Sequence, residues 1–105
     1  VKMIRAILRP EVTDDVADAL TNAGFISMTK MNVFGRGRQQ GISFGDVHYD
    51  EIPKTMVMMV LPDEHVEQVL GIIRAKSFTG NFGDGKVFIS DVESTYTVRT
   101  GVKES

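Results

Sequence analysis

Thr79–Val87, TGNFGDGKV, is the stretch on which the fold turns. From Gly80 it runs glycine, four residues, Gly85, Lys86, the spacing of a phosphate-cradling P-loop, but Val87 stands where that motif needs Ser or Thr. A working P-loop follows a strand and opens a helix, so that the free N–H groups of the helix point at the phosphate. Here the order is reversed. Val66, Val69, Leu70 and Ile73 recur at helical spacing before the loop, and the β-rich run Val87-Phe88-Ile89 follows it. With the magnesium-holding hydroxyl also missing, a P-loop NTPase is excluded. Gly83-Asp84-Gly85 can still turn successive N–H groups into an anion-binding concavity, with Lys86 as a positive charge at its end. A plain Asp-Gly turn accounts for the same residues equally well.

Working outward, Met3–Leu8 reads as a strand closed by Pro10. Thr13-Asp14-Asp15 reads as a helix start, with a capping hydroxyl and acids in the first turn. Val12, Val16, Ala19, Leu20 and Ala23 follow at helical spacing, and Gly24 is placed to stop the helix in the left-handed conformation. Phe25–Val33 and Thr55–Leu61 read as strands. Pro62-Asp63-Glu64 opens the second helix, Lys86–Val92 is a strand and Thr95–Arg99 a shorter one. Strand-helix-strand occurs twice, which predicts an α+β, ferredoxin-like double βαβ fold with both helices on one face of an antiparallel sheet. All 105 residues fit one domain.

The other sheet face should be polar in a monomer. Instead Thr55–Leu61, TMVMMVL, is apolar at both alternating sets. Ile4, Ala6 and Leu8 take one face of the first strand, while Met3 and Ile7 share the other with Arg5. Each apolar side chain left wet forgoes roughly 1.5–3 kcal/mol, so burial by another subunit is expected.

Phe34–Pro53 is long for a connection in a small domain, and loops of that length are usually functional or disordered. At its mouth Gly35–Gly41, GRGRQQG, combines three glycines with two arginines, whose forked donors suit phosphate. Lys54 returns a positive charge at the loop's far base, and Arg99 could add another. Groups able to do chemistry on an anion are few. There is no cysteine and there are only two histidines, His48 in the long loop and His65, which is expected to be exposed in the first turn of the second helix. Holding without reacting favours a sensor over a small ATPase or kinase. A net charge of −2 argues against nucleic acid as a partner. The longest apolar run, Met56–Leu61, is too short for membrane insertion, and Arg5, Arg9 and Glu11 interrupt any apolar leader, so a cytoplasmic location is expected.

TGNFGDGKVF with Val98-Arg99-Thr100-Gly101, the opening MIRAILRP and the FGRGRQQG segment together resemble the PII signal-transduction family over essentially the whole chain. The resemblance implies a trimer with sheets facing inward, ATP or ADP in the clefts between subunits, and 2-oxoglutarate beside the nucleotide through Mg²⁺. It implies a T-loop at about 35–54 and a nucleotide-binding B-loop at about 79–86. By position, Gly83, Asp84, Gly85 and Lys86 would hold phosphates, joined by Gly37, Arg38 and Gln39 from the T-loop base and by Arg99. Ile7 and Thr29 would meet the base, and Thr79 the nucleotide. Gln39 would ligate Mg²⁺. Lys54 would pair with a 2-oxoglutarate carboxylate, next to N–H groups of Gly37 and Gly41. The loop tip, with Ile42, Phe44, Asp46, His48 and Tyr49, would grip a target.

The pattern departs from the general signalling members. The T-loop is about four residues shorter, the modification-site context around Tyr49 is not reproduced, Thr97 replaces a C-terminal arginine, and Arg36 sits where phenylalanine is usual. These features resemble the nitrogenase-associated subgroup and the shorter of its two chains. That subgroup implies direct T-loop inhibition of the dinitrogenase component, relieved by 2-oxoglutarate with ATP, and a second PII-like paralogue as partner. The alternative is a general PII protein acting on an ammonium transporter or a nitrogen-assimilation enzyme.

Overall fold

The computed structural model describes residues 1–36 and 51–104. Among these, β1 (Lys2–Leu8), α1 (Pro10–Asn22), β2 (Thr29–Gly35), β3 (Ile52–Leu61), a 3-10 turn (Asp63–His65), α2 (Val66–Ser77) and β4 (Gly85–Asp91) follow in order. The four strands form one sheet in the order β2-β3-β1-β4, with every neighbouring pair antiparallel. This is the ferredoxin-like α+β arrangement expected from the doubled strand-helix-strand order.

The sheet divides its side chains by alternation. Ile4, Ala6 and Leu8 of β1 and Val57, Met59 and Leu61 of β3 are buried, and they meet Val16 and Leu20 of α1 and Val69 and Ile73 of α2. The opposite face is apolar as well. Register places Met3 opposite Val60, Ile7 opposite Met56, and Arg5 between Met58 and Phe88. Val60 is 43% exposed and Phe88 51%, so this second face is open in the single chain.

Helix α1 starts earlier than the residue types suggest. Pro10 occupies the first turn, where its fixed φ suits the helix and its missing N–H has no intrahelical partner to lose. Arg9 is the N-cap, and Thr13, read as the cap, is instead buried one turn inside, where its hydroxyl donates to the Arg9 carbonyl at 3.1 Å. The helix stops where Gly24 was expected to stop it. Gly24 has φ +96°, its N–H reaches the Thr21 carbonyl at 3.0 Å, and the Phe25 N–H reaches the Leu20 carbonyl at 2.8 Å. That pair of bonds is the Schellman closure, which satisfies the last carbonyls.

Because Phe25 is used in that closure and packs against the core, 25–28 connects rather than pairs, and β2 begins at Thr29 instead of Phe25. Strand β3 begins at Ile52, earlier than expected, and includes Pro53. Pairing with β1 ends at Leu8 opposite Thr55, so at Pro53 the strand has β2 alone beside it, where a missing N–H is tolerated. Two further expectations are corrected. His65 is half-buried, its ring edge-on to Phe25 at 5.5 Å between centroids. Residues 95–99 form no strand. A single bridge pairs Tyr96 with Lys103, and Thr97 accepts from Gly101 at 2.8 Å, folding the segment into a tight turn that carries Arg99.

Leu20 is fully buried and also sits in the helix-closing motif. Leu20→Ala should lower stability by roughly 2–5 kcal/mol, measured by denaturant unfolding at a fixed protein concentration.

Candidate functional site

The glycine loop joins α2 to β4, as the order of apolar periods predicted. Helix α2 ends at Ser77, and Phe78 is extended with its N–H on the Arg74 carbonyl at 2.9 Å, so the chain leaves the helix at once. The loop is then organised by one side chain. The Asp84 carboxylate turns inward and accepts from the Thr79 N–H at 2.7 Å, from the Gly80 N–H at 2.9 Å and from the Thr79 hydroxyl. That hydroxyl also accepts from the Asn81 N–H at 3.2 Å. Asp84 therefore serves the shape of the loop with its side chain, and only its backbone is left for an anion.

Gly85 fixes where the loop ends. It lies opposite Leu8 with φ +122°, and a Cβ there would stand 2.2 Å from the Ile7 carbonyl oxygen. Two clashes thus coincide, one with the backbone of β1 and one with the conformation itself. The next residue, Lys86, pairs with Ile7. From the other side, Lys54 of β3 donates from Nζ to the Gly83 carbonyl at 2.9 Å. Its stem crosses Gly35, whose added Cβ would lie 3.2 Å from Lys54 Cγ. Lys54 is thus a tie between the glycine loop and the ends of β2 and β3.

Ile7, Lys54, Thr79, Gly83, Asp84, Gly85 and Lys86 therefore meet at one end of the sheet. Gly35 and Ile52, paired there, bring the two ends of the segment between them to the same place. Gly37, Arg38, Gln39, Gly41, Ile42, Phe44, Asp46, His48 and Tyr49 lie outside the described residues. Thr29 is not brought in. It sits on edge strand β2 while Lys86 sits on edge strand β4, three strand spacings away, about 14 Å. Among the described residues no hydrogen bond or ion pair joins Arg99 to the loop.

Arg9 is a residue that the sequence reading passed over. Its guanidinium donates from Nη2 to the Ser77 carbonyl at 3.1 Å and stands 3.5 Å from Asp84 Oδ1, gripping both ends of the loop. Its signal in the sequence is a cation directly before the proline that starts α1. Below the loop a groove of about 410 Å³ opens between α2 and β4, walled by Leu8, Ile73 and Val87 and rimmed by Asp84 and Lys86. The Arg74 guanidinium lies 4.5 Å over the Phe78 ring at its side. Among the described residues, no cluster of His, Asp or Glu could hold a metal ion, and no helix is long and apolar enough to cross a membrane.

Residues 1–102 match the nitrogen regulatory protein P-II family. The chain is 58% identical over 102 residues to nitrogen fixation nifHD2 region GlnB-like protein 1 of Methanosarcina barkeri, covering 97% of each. It is 56% identical over 102 residues to nitrogen fixation nifHD region GlnB-like protein 1 of Methanobacterium ivanovii, again covering 97% of each. To nitrogen regulatory protein P-II 2 of Methanothermobacter thermautotrophicus it is 44% identical over 104 residues, 95% of this chain and 90% of the other.

The loop geometry is testable without a ligand. Gly85→Ala should cost roughly 2–4 kcal/mol in denaturant unfolding, since both backbone conformation and packing resist it. The Thr79 hydroxyl and amide, then the Gly80 amide and Arg9, hold the Asp84 carboxyl below the usual range. With its folded pKa below the unfolded value of about 3.9, the stability it contributes is complete above that value and is lost as pH falls through the folded pKa. Amide shifts of Thr79 and Gly80, followed by NMR, should stay constant from neutral pH to about 5 and move together only below about 4.

Proposed function

The chain belongs to the nitrogen regulatory protein P-II family, and on that premise we propose that it is a non-catalytic sensor that binds ATP or ADP and 2-oxoglutarate and controls nitrogenase through the loop between β2 and β3. The observation that carries this reading is the Lys54–Gly83 hydrogen bond, which joins the glycine loop to the stem of that longer loop. A ligand held at one is felt at the other.

In this reading the backbone around Gly83 and Gly85 and the charge of Lys86 receive nucleotide phosphates, while Ile7 packs against the base from the same protomer. Thr29 and Arg99 come from a neighbouring protomer, consistent with the three strand spacings between Thr29 and Lys86. The open apolar face of the sheet supports a trimer whose sheets face inward. Gln39 would help hold Mg²⁺, which would supply positive charge beside the phosphates. Lys54 uses one of its three donors on Gly83, and a 2-oxoglutarate carboxylate takes another. Gly37, Arg38, Gln39 and Gly41 complete the pocket from the loop base.

Occupancy acts by population shift. The keto acid must bind one arrangement of the loop better than another, and the arrangement it disfavours is the one that grips the target. The nif-region names of the relatives support a role in nitrogen fixation, and in this reading the target is the dinitrogenase component and a second PII-like family member is a partner. Likeness to a relative named simply P-II 2 favours, as a second reading, an ammonium transporter or an assimilation enzyme. Pull-downs with dinitrogenase and with the transporter at low 2-oxoglutarate separate the two.

Lys54→Ala should abolish 2-oxoglutarate binding in calorimetry while leaving ATP affinity within a few-fold; equal loss of both would remove the division of roles. Lys86→Ala should weaken ATP about 10–100-fold, the worth of a charge-assisted phosphate contact. Sedimentation should give a trimer, and a monomer indifferent to adenine nucleotides would overturn the reading.

A further inference from the structure

Arg9 is not part of the hydrophobic core. Its side chain is 25% exposed, and its Nε is buried with no hydrogen-bond partner among the described residues. Ser77 Oγ, beside it, is in the same condition although Ser77 is only 5% exposed. Buried polar atoms without partners are costly, and an apolar side chain at this corner would avoid the cost. What the arginine achieves in exchange is the placement of the glycine loop.

We propose that Arg9 is the positioning residue of the anion loop: it clamps the Ser77 carbonyl and the Asp84 carboxylate together, so that the loop is closed before an anion arrives and its one acid is neutralised from behind. The proposal rests on the anion-binding role given above to Gly83–Lys86. The clamp is itself anchored. The Arg9 carbonyl accepts from the Val12 N–H at 3.2 Å and from the Thr13 hydroxyl at 3.1 Å, so the guanidinium is launched from the fixed first turn of α1. Thr79–Lys86 contains a single carboxylate, Asp84, and an unpaired carboxylate there would repel a phosphate. With Arg9 at 3.5 Å the pair is neutral as a whole, and the charge an incoming anion meets is that of Lys86. The other charged groups around Asp84 are Lys86 and Arg74, which line the same groove, Glu11, 3.9 Å from Arg9 Nη1, and Lys54 on the adjoining Gly83 carbonyl.

The test uses the full chain in its native assembly, with Arg9→Gln and Arg9→Lys. MgATP affinity is read by calorimetry, and the Thr79 and Gly80 amides and the Asp84 carboxyl are read by NMR. Arg9→Gln should weaken MgATP about tenfold, the effect of losing one charge-assisted contact. It should also speed hydrogen exchange at Gly80 and move the Asp84 titration to higher pH. Arg9→Lys should recover part of both, since an ammonium keeps the positive charge beside Asp84 but not the planar, preorganised donors of the guanidinium. Unchanged affinity and unchanged loop amides in Arg9→Gln would overturn the proposal. So would weaker MgATP with an undisturbed loop, because Arg9 would then touch the nucleotide itself. If Arg9→Gln does not fold, Arg9→Lys decides by the same readings. If the wild-type chain binds no MgATP, the sensor reading fails, and the exchange rate at Gly80 alone judges the clamp.

Discussion

The approach of Gly85 to the Ile7 carbonyl governs the rest of the molecule. Strand β4 can lie this close to β1 only where a residue has no side chain, and a Cβ would stand 2.2 Å from that oxygen. The position sets the register in which Ile7 faces Lys86 and Leu8 faces Gly85. It thereby decides which face Lys86 shares with Ile7 and where the preceding loop must finish. Since α2 ends at Ser77, the loop has a fixed start, a fixed end and a short path between them. Asp84 then closes it internally, while Arg9 and Lys54 hold it from opposite sides. Four attachments to α2, β1, β3 and the α1 corner make a glycine-rich stretch, ordinarily the loosest kind of backbone, into a defined surface.

Much of this was legible in the sequence because it depends on local pattern. The order of periods around TGNFGDGKV ruled out one class of nucleotide fold, and the doubled strand-helix-strand order gave the sheet. Gly24 was readable as a helix stop because the Schellman closure needs a residue that tolerates positive φ just there. The two-sided apolar character of β3 was visible by alternation alone. Errors arose where a residue type has two uses. Thr13 followed by acids looks like a cap, but Pro10 already supplies the start, and the hydroxyl serves inside the helix. Phe25 looks like the opening of a strand, but its N–H is committed to closing α1. Thr95 to Arg99 reads as a short strand, yet Tyr96 bridges to Lys103 only a few residues on.

The least legible part of the site was its wiring. Arg9 meets Asp84 across most of the chain length, and no periodicity links them. Likewise Lys54 was recognisable as a cation at a loop base, but its bond to the Gly83 carbonyl follows from the sheet register, not from spacing. Asp84 shows the difference most clearly. Sitting between two glycines in a phosphate-like motif, it reads as a ligand contact, whereas its carboxylate is consumed in holding Thr79 and Gly80.

The β2–β3 stem is bound to its register by the same lysine that holds the glycine loop. Its pairing runs from Thr29 opposite Met58 to Gly35 opposite Ile52, with Lys54 facing Val33. Side chains alternate between faces, so a shift of β3 by a single residue would transfer Lys54 to the far side and strip Gly83 of its tie. The paired stem is therefore held to one register by a lysine that belongs to neither of the two turns it joins.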